Sequence, residues 1–292
     1  MQGSNGCGEI FAGKLIKEKM NFRSLMIVVL AALVHISCTS EYEKILRSTD
    51  VDVKYKAALD YFNKGKFKKA ADLFDNLNLL VQGLPQEDTV SFYHGLSNFQ
   101  YGDLETAEAA LAKFIEVYPR SVFSIEAKYL RIKCLFEETL RYELDQTPTR
   151  KAMMIISEFM YEHPDSEYYP VCKGMMDELM ERLERKSFES AKLYYSMEDY
   201  KAARHALKNV LKENAENRYR EDVLYYTAMA SYKFAFNSIE EKQKERFLDF
   251  IDDYYNFISE YPESKYRKEL DGLYGKVEHY AIKPNVNSEE QK

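Results

Sequence analysis

The 292-residue chain has no tryptophan, 11 glycines, seven prolines and four cysteines. So little glycine and proline argues against an all-β fold with many tight turns. Four of the glycines fall within the first 13 residues, so the rest of the chain is poorer still. Neither a CxxC pair nor a His/Cys cluster occurs, which argues against a structural zinc site. HExxH, GxSxG and a glycine-rich phosphate loop are also missing. Positive charge is short as well. The net charge is −7, and residues 1–37 carry +2, so the remaining body carries −9. An acidic body has no broad footprint for nucleic acid and does not adsorb as a whole to anionic lipid.

Long apolar runs are absent except one. Leu25–Ile36 reads LMIVVLAALVHI, with Arg23 before it and Ser37-Cys38 after it. Twelve residues are too few to span a bilayer, which takes roughly 20. A basic flank, a short apolar run and a small residue before a cut make a secretory signal over residues 1–37, with Met20 a natural alternative start. Ser37-Cys38 resembles the box of bacterial lipoproteins, although His35 stands where an apolar residue is usual. That resemblance implies cleavage before Cys38 and acylation of its thiol and amine. The other readings are an ordinary secreted protein and a free Cys in a short anchor. Residues 38–52 are then expected to form the lipidated Cys and a short polar linker.

The body repeats itself. Gly65-Lys66-Phe67-Lys68-Lys69-Ala70, Gly102-Asp103-Leu104-Glu105-Thr106-Ala107 and Glu198-Asp199-Tyr200-Lys201-Ala202-Ala203 share one pattern. Each has a turn residue, a polar residue, a bulky apolar residue, and Ala three positions on. Apolar stripes at helical spacing lie on both sides of each corner. A second element closes the units: Tyr118-Pro119-Arg120-Ser121, His163-Pro164-Asp165-Ser166 and Tyr261-Pro262-Glu263-Ser264. Proline stops a helix, and the serine is expected to cap the next. Glu213–Asn217 reads as a degenerate copy without the proline.

The corner positions 70, 107, 152, 203 and 250 are spaced by 37 to 51 residues. The longer steps place extra residues at Glu137–Thr149 and Asn237–Arg246. The pattern resembles the tetratricopeptide repeat, with its period of about 34. It implies an all-α, right-handed helical solenoid of about five helix pairs over residues 53–281, with a disordered tail over 282–292.

Nothing in the body converges on chemistry. His163 occupies the position of Tyr118 and Tyr261, so it reads as a packing residue. Acidic neighbours such as Asp252-Asp253 point about 100° apart on a helix and form no catalytic pair. Cys134 and Cys172 sit among apolar residues and read as buried thiols, with a disulfide as the alternative. The expected working surface is a groove lined by the first helix of each pair. Tyr93, Tyr129, Tyr225, Tyr226 and Tyr232 are its candidate protein-binding residues, since tyrosine offers area, a hydroxyl and few rotamers.

A lipoprotein box followed by five long repeats with YP-x-S stops resembles the BamD-type outer-membrane assembly lipoproteins. The resemblance implies a non-enzymatic scaffold without cofactor or metal, lipid-anchored at the outer membrane and facing the periplasm. Its implied partners are a BamA-like barrel-forming subunit, other assembly subunits and unfolded outer-membrane proteins, with docking through the C-terminal repeats. The alternatives are a tetratricopeptide lipoprotein of glycan uptake and a lipid-anchored envelope enzyme.

Overall fold

The computed structural model describes residues 41–280, and within them it is helical with no strand. Cys38, the signal at 1–37 and the tail at 282–292 lie outside the described residues. The chain divides into two compact units at Tyr101/Gly102.

The first unit holds a short helix at 41–47, then α1 (Val51–Asn63), α2 (Phe67–Leu80) and α3 (Glu87–Tyr101). The expected plain linker over 38–52 gives way at 41–47. Tyr42, Ile45 and Leu46 make a one-turn apolar stripe that packs on the α1–α2 core. Lys54, almost wholly buried, donates from Nζ to the Leu46 carbonyl (3.0 Å) and so caps this helix. Burial pulls the Lys54 ammonium below its ordinary pKa.

The second unit runs through α4 (Leu104–Val117), α5 (Ser124–Glu137), α6 (Thr147–Glu162), α7 (Tyr169–Ser196), α8 (Tyr200–Glu213), α9 (Arg220–Phe236), α10 (Glu240–Glu260) and α11 (Arg267–Val277). Each helix packs on the next. The first helices of successive pairs also touch, α5 on α7, α7 on α9 and α9 on α11, forming one layer as in a tetratricopeptide solenoid.

The corner residue is where the repeat is most regular. Ala70, Ala107, Ala152, Ala203 and Phe250 are all fully buried. Each begins a buried stripe at i, i+4 and i+7: Phe74 and Leu77, Leu111 and Phe114, Ile156 and Phe159, Leu207 and Val210, Tyr254 and Phe257. Each large apolar side chain so buried contributes roughly 1.5–3 kcal/mol. Two corners turn through Gly65 and Gly102 with φ of 70° and 91°. The third uses Glu198 at φ 62°, a conformation that costs a residue with a Cβ about 1–2 kcal/mol.

The stops differ from expectation in one respect. Ser121, Ser166 and Ser264 do not cap the following helices. Their hydroxyls accept the N–H two residues on, from Phe123, Tyr168 and Tyr266. Each serine thereby closes a tight turn. In the degenerate copy Asn217 does the same for the Tyr219 N–H, at 2.9 Å.

The two long steps have different causes. The extra residues after Glu137 form a loop that α7, at 28 residues, is long enough to hold. Arg182 donates to Thr139 Oγ1 and the Leu140 carbonyl, and Lys186 to the carbonyls of Tyr142, Glu143 and Leu144. Asn237–Arg246 instead lengthens the α9–α10 hairpin.

Candidate protein-binding surface

The layer of first helices is tied together by aromatic stacks. Tyr168, Tyr219 and Tyr266 each stand just before a first helix, two residues after the turn-forming Ser or Asn. Tyr168 stacks on Tyr129 of α5 (centroids 4.2 Å), Tyr219 on Phe188 of α7 (5.3 Å), and Tyr266 on Tyr225 of α9 (3.9 Å). Interplanar angles of 8° to 12° make these stacked pairs rather than edge contacts. Each adds about 0.5–1.5 kcal/mol beyond area burial. Their hydroxyls reach carboxylates: Tyr219 to Glu181 (3.2 Å), Tyr225 to Glu269 (2.9 Å) and Tyr266 to Asp222 (2.5 Å). Burial and Glu269 push the Tyr225 hydroxyl well above the usual phenol range, so it stays a proton donor.

This arrangement places the candidate tyrosines. Tyr93, in the first unit, packs half-buried against Phe62 and Phe74. Tyr129 is half-buried under Tyr168. Tyr225 and Tyr226 lie together, centroids 5.0 Å apart, and Tyr226 also meets Phe188 and Tyr195. Tyr232 packs on Phe247 and Phe250, apart from that group. Tyr225 and Tyr232 are only 8% and 9% exposed, so as placed they support the layer rather than present a face.

Large apolar side chains face outward at several other places, Leu79, Val122 and Tyr161 among them, and two stand together at one hairpin tip. At the tip of the α9–α10 hairpin Phe236 is 61% and Ile239 68% exposed. The tip is nonetheless held in place: Arg246 lies over the Phe234 ring (4.0 Å), Gln243 donates to the Ser238 carbonyl (3.1 Å), and Tyr280 stacks on Phe247 (5.2 Å). Sequence periodicity missed Phe236 and Ile239. They flank the turn between two buried stripes, and only their position outside both stripes could have marked them.

A groove between second helices recurs at equivalent positions. One, of about 240 Å³, is lined by Ile115, Lys128, Arg131, Ile155 and Phe159. The other, of about 470 Å³, is lined by Lys208, Leu211, Arg220, Leu224 and Asp253. Pairs of opposite charge rim both, Lys128–Glu162 and Arg220–Glu260.

Neither described cysteine suits nucleophilic chemistry. Cys134 and Cys172 are free, fully buried thiols. Burial pushes them up to about 12 and about 11, which keeps them protonated and inert. His163 packs on Phe159 as Tyr118 does on Phe114 and Tyr261 on Phe257. Among the described residues no group of three or more His, Cys, Asp or Glu is placed to hold a metal ion.

Residues 48–246 match the YfiO family, described as an outer membrane lipoprotein. The chain is also similar to the outer membrane protein assembly factor BamD of Caulobacter vibrioides, 20% identical over 199 residues. That match covers 67% of this chain and 65% of the relative, so the chain spans just under two-thirds of the relative's length.

Proposed function

The chain belongs to the YfiO family of outer membrane lipoproteins, and on that premise we propose that it is a lipid-anchored, non-enzymatic scaffold for outer-membrane protein assembly. Cys38 carries the acyl anchor, and the repeat domain faces the periplasm. The family match over 48–246 is the observation that carries this reading, because it takes in the first four helix pairs and both ends of the exposed α9–α10 tip. The relative's name, an assembly factor, supports the same role. More than one acyl chain is needed for stable anchoring, which the lipoprotein pathway would supply at Cys38. The partner is a barrel-forming outer-membrane subunit, docked through the C-terminal pairs. Phe236 and Ile239 suit that contact: they are large, apolar, exposed and held on a braced hairpin, so little ordering is lost on binding.

Two variants test the proposal. Cys38→Ala should move the protein from the outer-membrane fraction to the soluble periplasm; unchanged membrane retention would remove the anchor. Phe236→Ser with Ile239→Ser should weaken capture of the barrel-forming subunit by roughly tenfold or more, as expected for central apolar contacts. Full capture by a folded double variant would rule out this tip as the docking site.

A further inference from the structure

We propose that the α1–α2 corner is a membrane-surface contact that seats anionic phospholipid headgroups beside the anchor. The inference rests on Cys38 being acylated. Between Lys54 and Lys69 there are six lysines and a single acid, Asp60, in a body whose net charge is −9. Four of those lysines, Lys64, Lys66, Lys68 and Lys69, surround the turn at Gly65. Lys64, Lys66 and Lys68 are exposed, whereas Lys69 is half-buried.

The corner is bound to the start of the chain body. Lys69 Nζ lies over the Tyr42 ring (4.8 Å) and the Tyr61 ring (5.5 Å). Tyr42 packs edge-on against Tyr61 (5.5 Å), and its hydroxyl donates to Asp72 (3.3 Å). Tyr42 is four residues from Cys38, a span of at most about 14 Å even fully extended. Acyl chains on Cys38 therefore hold the lysine corner within a short distance of the headgroup plane. Acids do flank it: Asp60 pairs with Lys64 (2.6 Å) and Asp72 with Lys68 (3.0 Å), while Glu41 and Glu43 lie on the leading helix. Over residues 60–72 Lys64, Lys66, Lys68 and Lys69 stand against Asp60 and Asp72, Lys44 and Arg47 balance Glu41 and Glu43 on the leading helix, and Lys66 lies beside the Tyr61 ring (5.8 Å). Lysine clusters next to a membrane anchor are drawn to anionic headgroups over about a Debye length.

The test uses the full acylated chain reconstituted into phosphatidylcholine vesicles with or without phosphatidylglycerol. Acetylation of each lysine is read by peptide mass spectrometry, and the N-terminal peptide of the same sample reports acylation. With phosphatidylglycerol, labelling of Lys64, Lys66 and Lys68 should fall roughly fivefold, and added salt should restore it. Lys64→Glu with Lys66→Glu, checked for an unchanged melting curve, should abolish the difference at Lys68. Equal labelling in both vesicles on acylated protein overturns the headgroup contact while leaving the anchor standing. An N-terminal peptide without acyl mass removes the anchor and this contact together.

Discussion

The third helix pair, α5–α6, and the fifth, α9–α10, occupy equivalent places with different interiors. Ile132, Leu135 and Ile155 of the third correspond to Ala228, Ser231 and Asp253 of the fifth, counting from the aromatic before the first helix and from the corner residue. Corner Ala152 corresponds to Phe250, so bulk has moved from the first helix to the second. Both pairs carry ions on the side facing the preceding second helix, Glu108 with Arg131 and Lys151 in the third, but in the fifth a carboxylate replaces Ile155 inside the core. Asp253, 7% exposed, accepts from Ser231 (2.6 Å), Arg204 (2.8 Å) and Lys208 (2.7 Å). Arg204 reaches Asp249 as well, at 3.2 Å. One backbone arrangement thus tolerates an aliphatic or an ionic residue at this place, provided every buried polar group finds a partner. The ionic version fixes how α8, α9 and α10 meet, since three helices share one carboxylate.

The largest effect should come from breaking that network. Asp253→Ala strands Ser231, leaves Arg204 with Asp249 alone, and should cost roughly 3–5 kcal/mol, read as loss of hydrogen-exchange protection in α8–α10. An unchanged exchange profile would mean the network is ornamental. Making the fifth pair apolar like the third, with Arg204→Met, Ser231→Leu and Asp253→Leu together, should be neutral or stabilising in denaturant melts. A loss beyond about 3 kcal/mol would show that the two interiors are not interchangeable. Ala228→Ile alone restores the third pair's residue opposite the bulky Phe250, and overpacking should cost about 1–3 kcal/mol. No cost in the same melts would place free volume there.

The smallest effect concerns the rim pairs, which the two repeats share. Arg220 holds Glu260 through two bonds of 2.7 Å and pulls its carboxyl below the ordinary value of 4.5. Lys128 does the same to Glu162 through one bond of 2.6 Å. A lowered folded pKa adds stability that is fully present above the ordinary value and is lost as pH falls through the folded one. Glu260→Gln and Glu162→Gln should each cost at most about 1 kcal/mol near neutral pH and nothing once pH is well below 4.5. Melting curves at the two pH values check this. A cost that persisted in acid would assign the glutamates a packing role instead of an ionic one.

Much of this was legible in one dimension. The corner residues announced themselves because close helix packing demands a small side chain at a fixed step from a turn. The Pro-x-Ser stops did so because proline cannot continue a helix. The recurrent aromatic five residues after the stop position went unread, although Phe123, Tyr168, Tyr219 and Tyr266 all keep that register. It lies outside the core stripes that periodicity detects. The candidate tyrosines show the opposite difficulty. Tyr225 and Tyr226 are adjacent in a helix whose apolar residues run nearly all round, so no moment separates a buried ring from a facing one. The helix at 41–47 escaped notice because one turn of stripe is too short to distinguish from chance.

The sequence by itself determined the helix pairs, their corners and stops, the apolar segment ahead of Cys38 and the absence of catalytic motifs. These depend on neighbours within a few residues, where backbone sterics and helical periodicity act. Tertiary structure alone decided which tyrosines are covered, that Asp253 joins three helices, that Phe236 and Ile239 are left outside, and that Tyr42 packs against the lysine corner. Those outcomes depend on side chains some 20 to 50 residues apart meeting across stacked helices. No local rule records such meetings, because a helix repeats its faces every 3.6 residues without saying which face its neighbour will take.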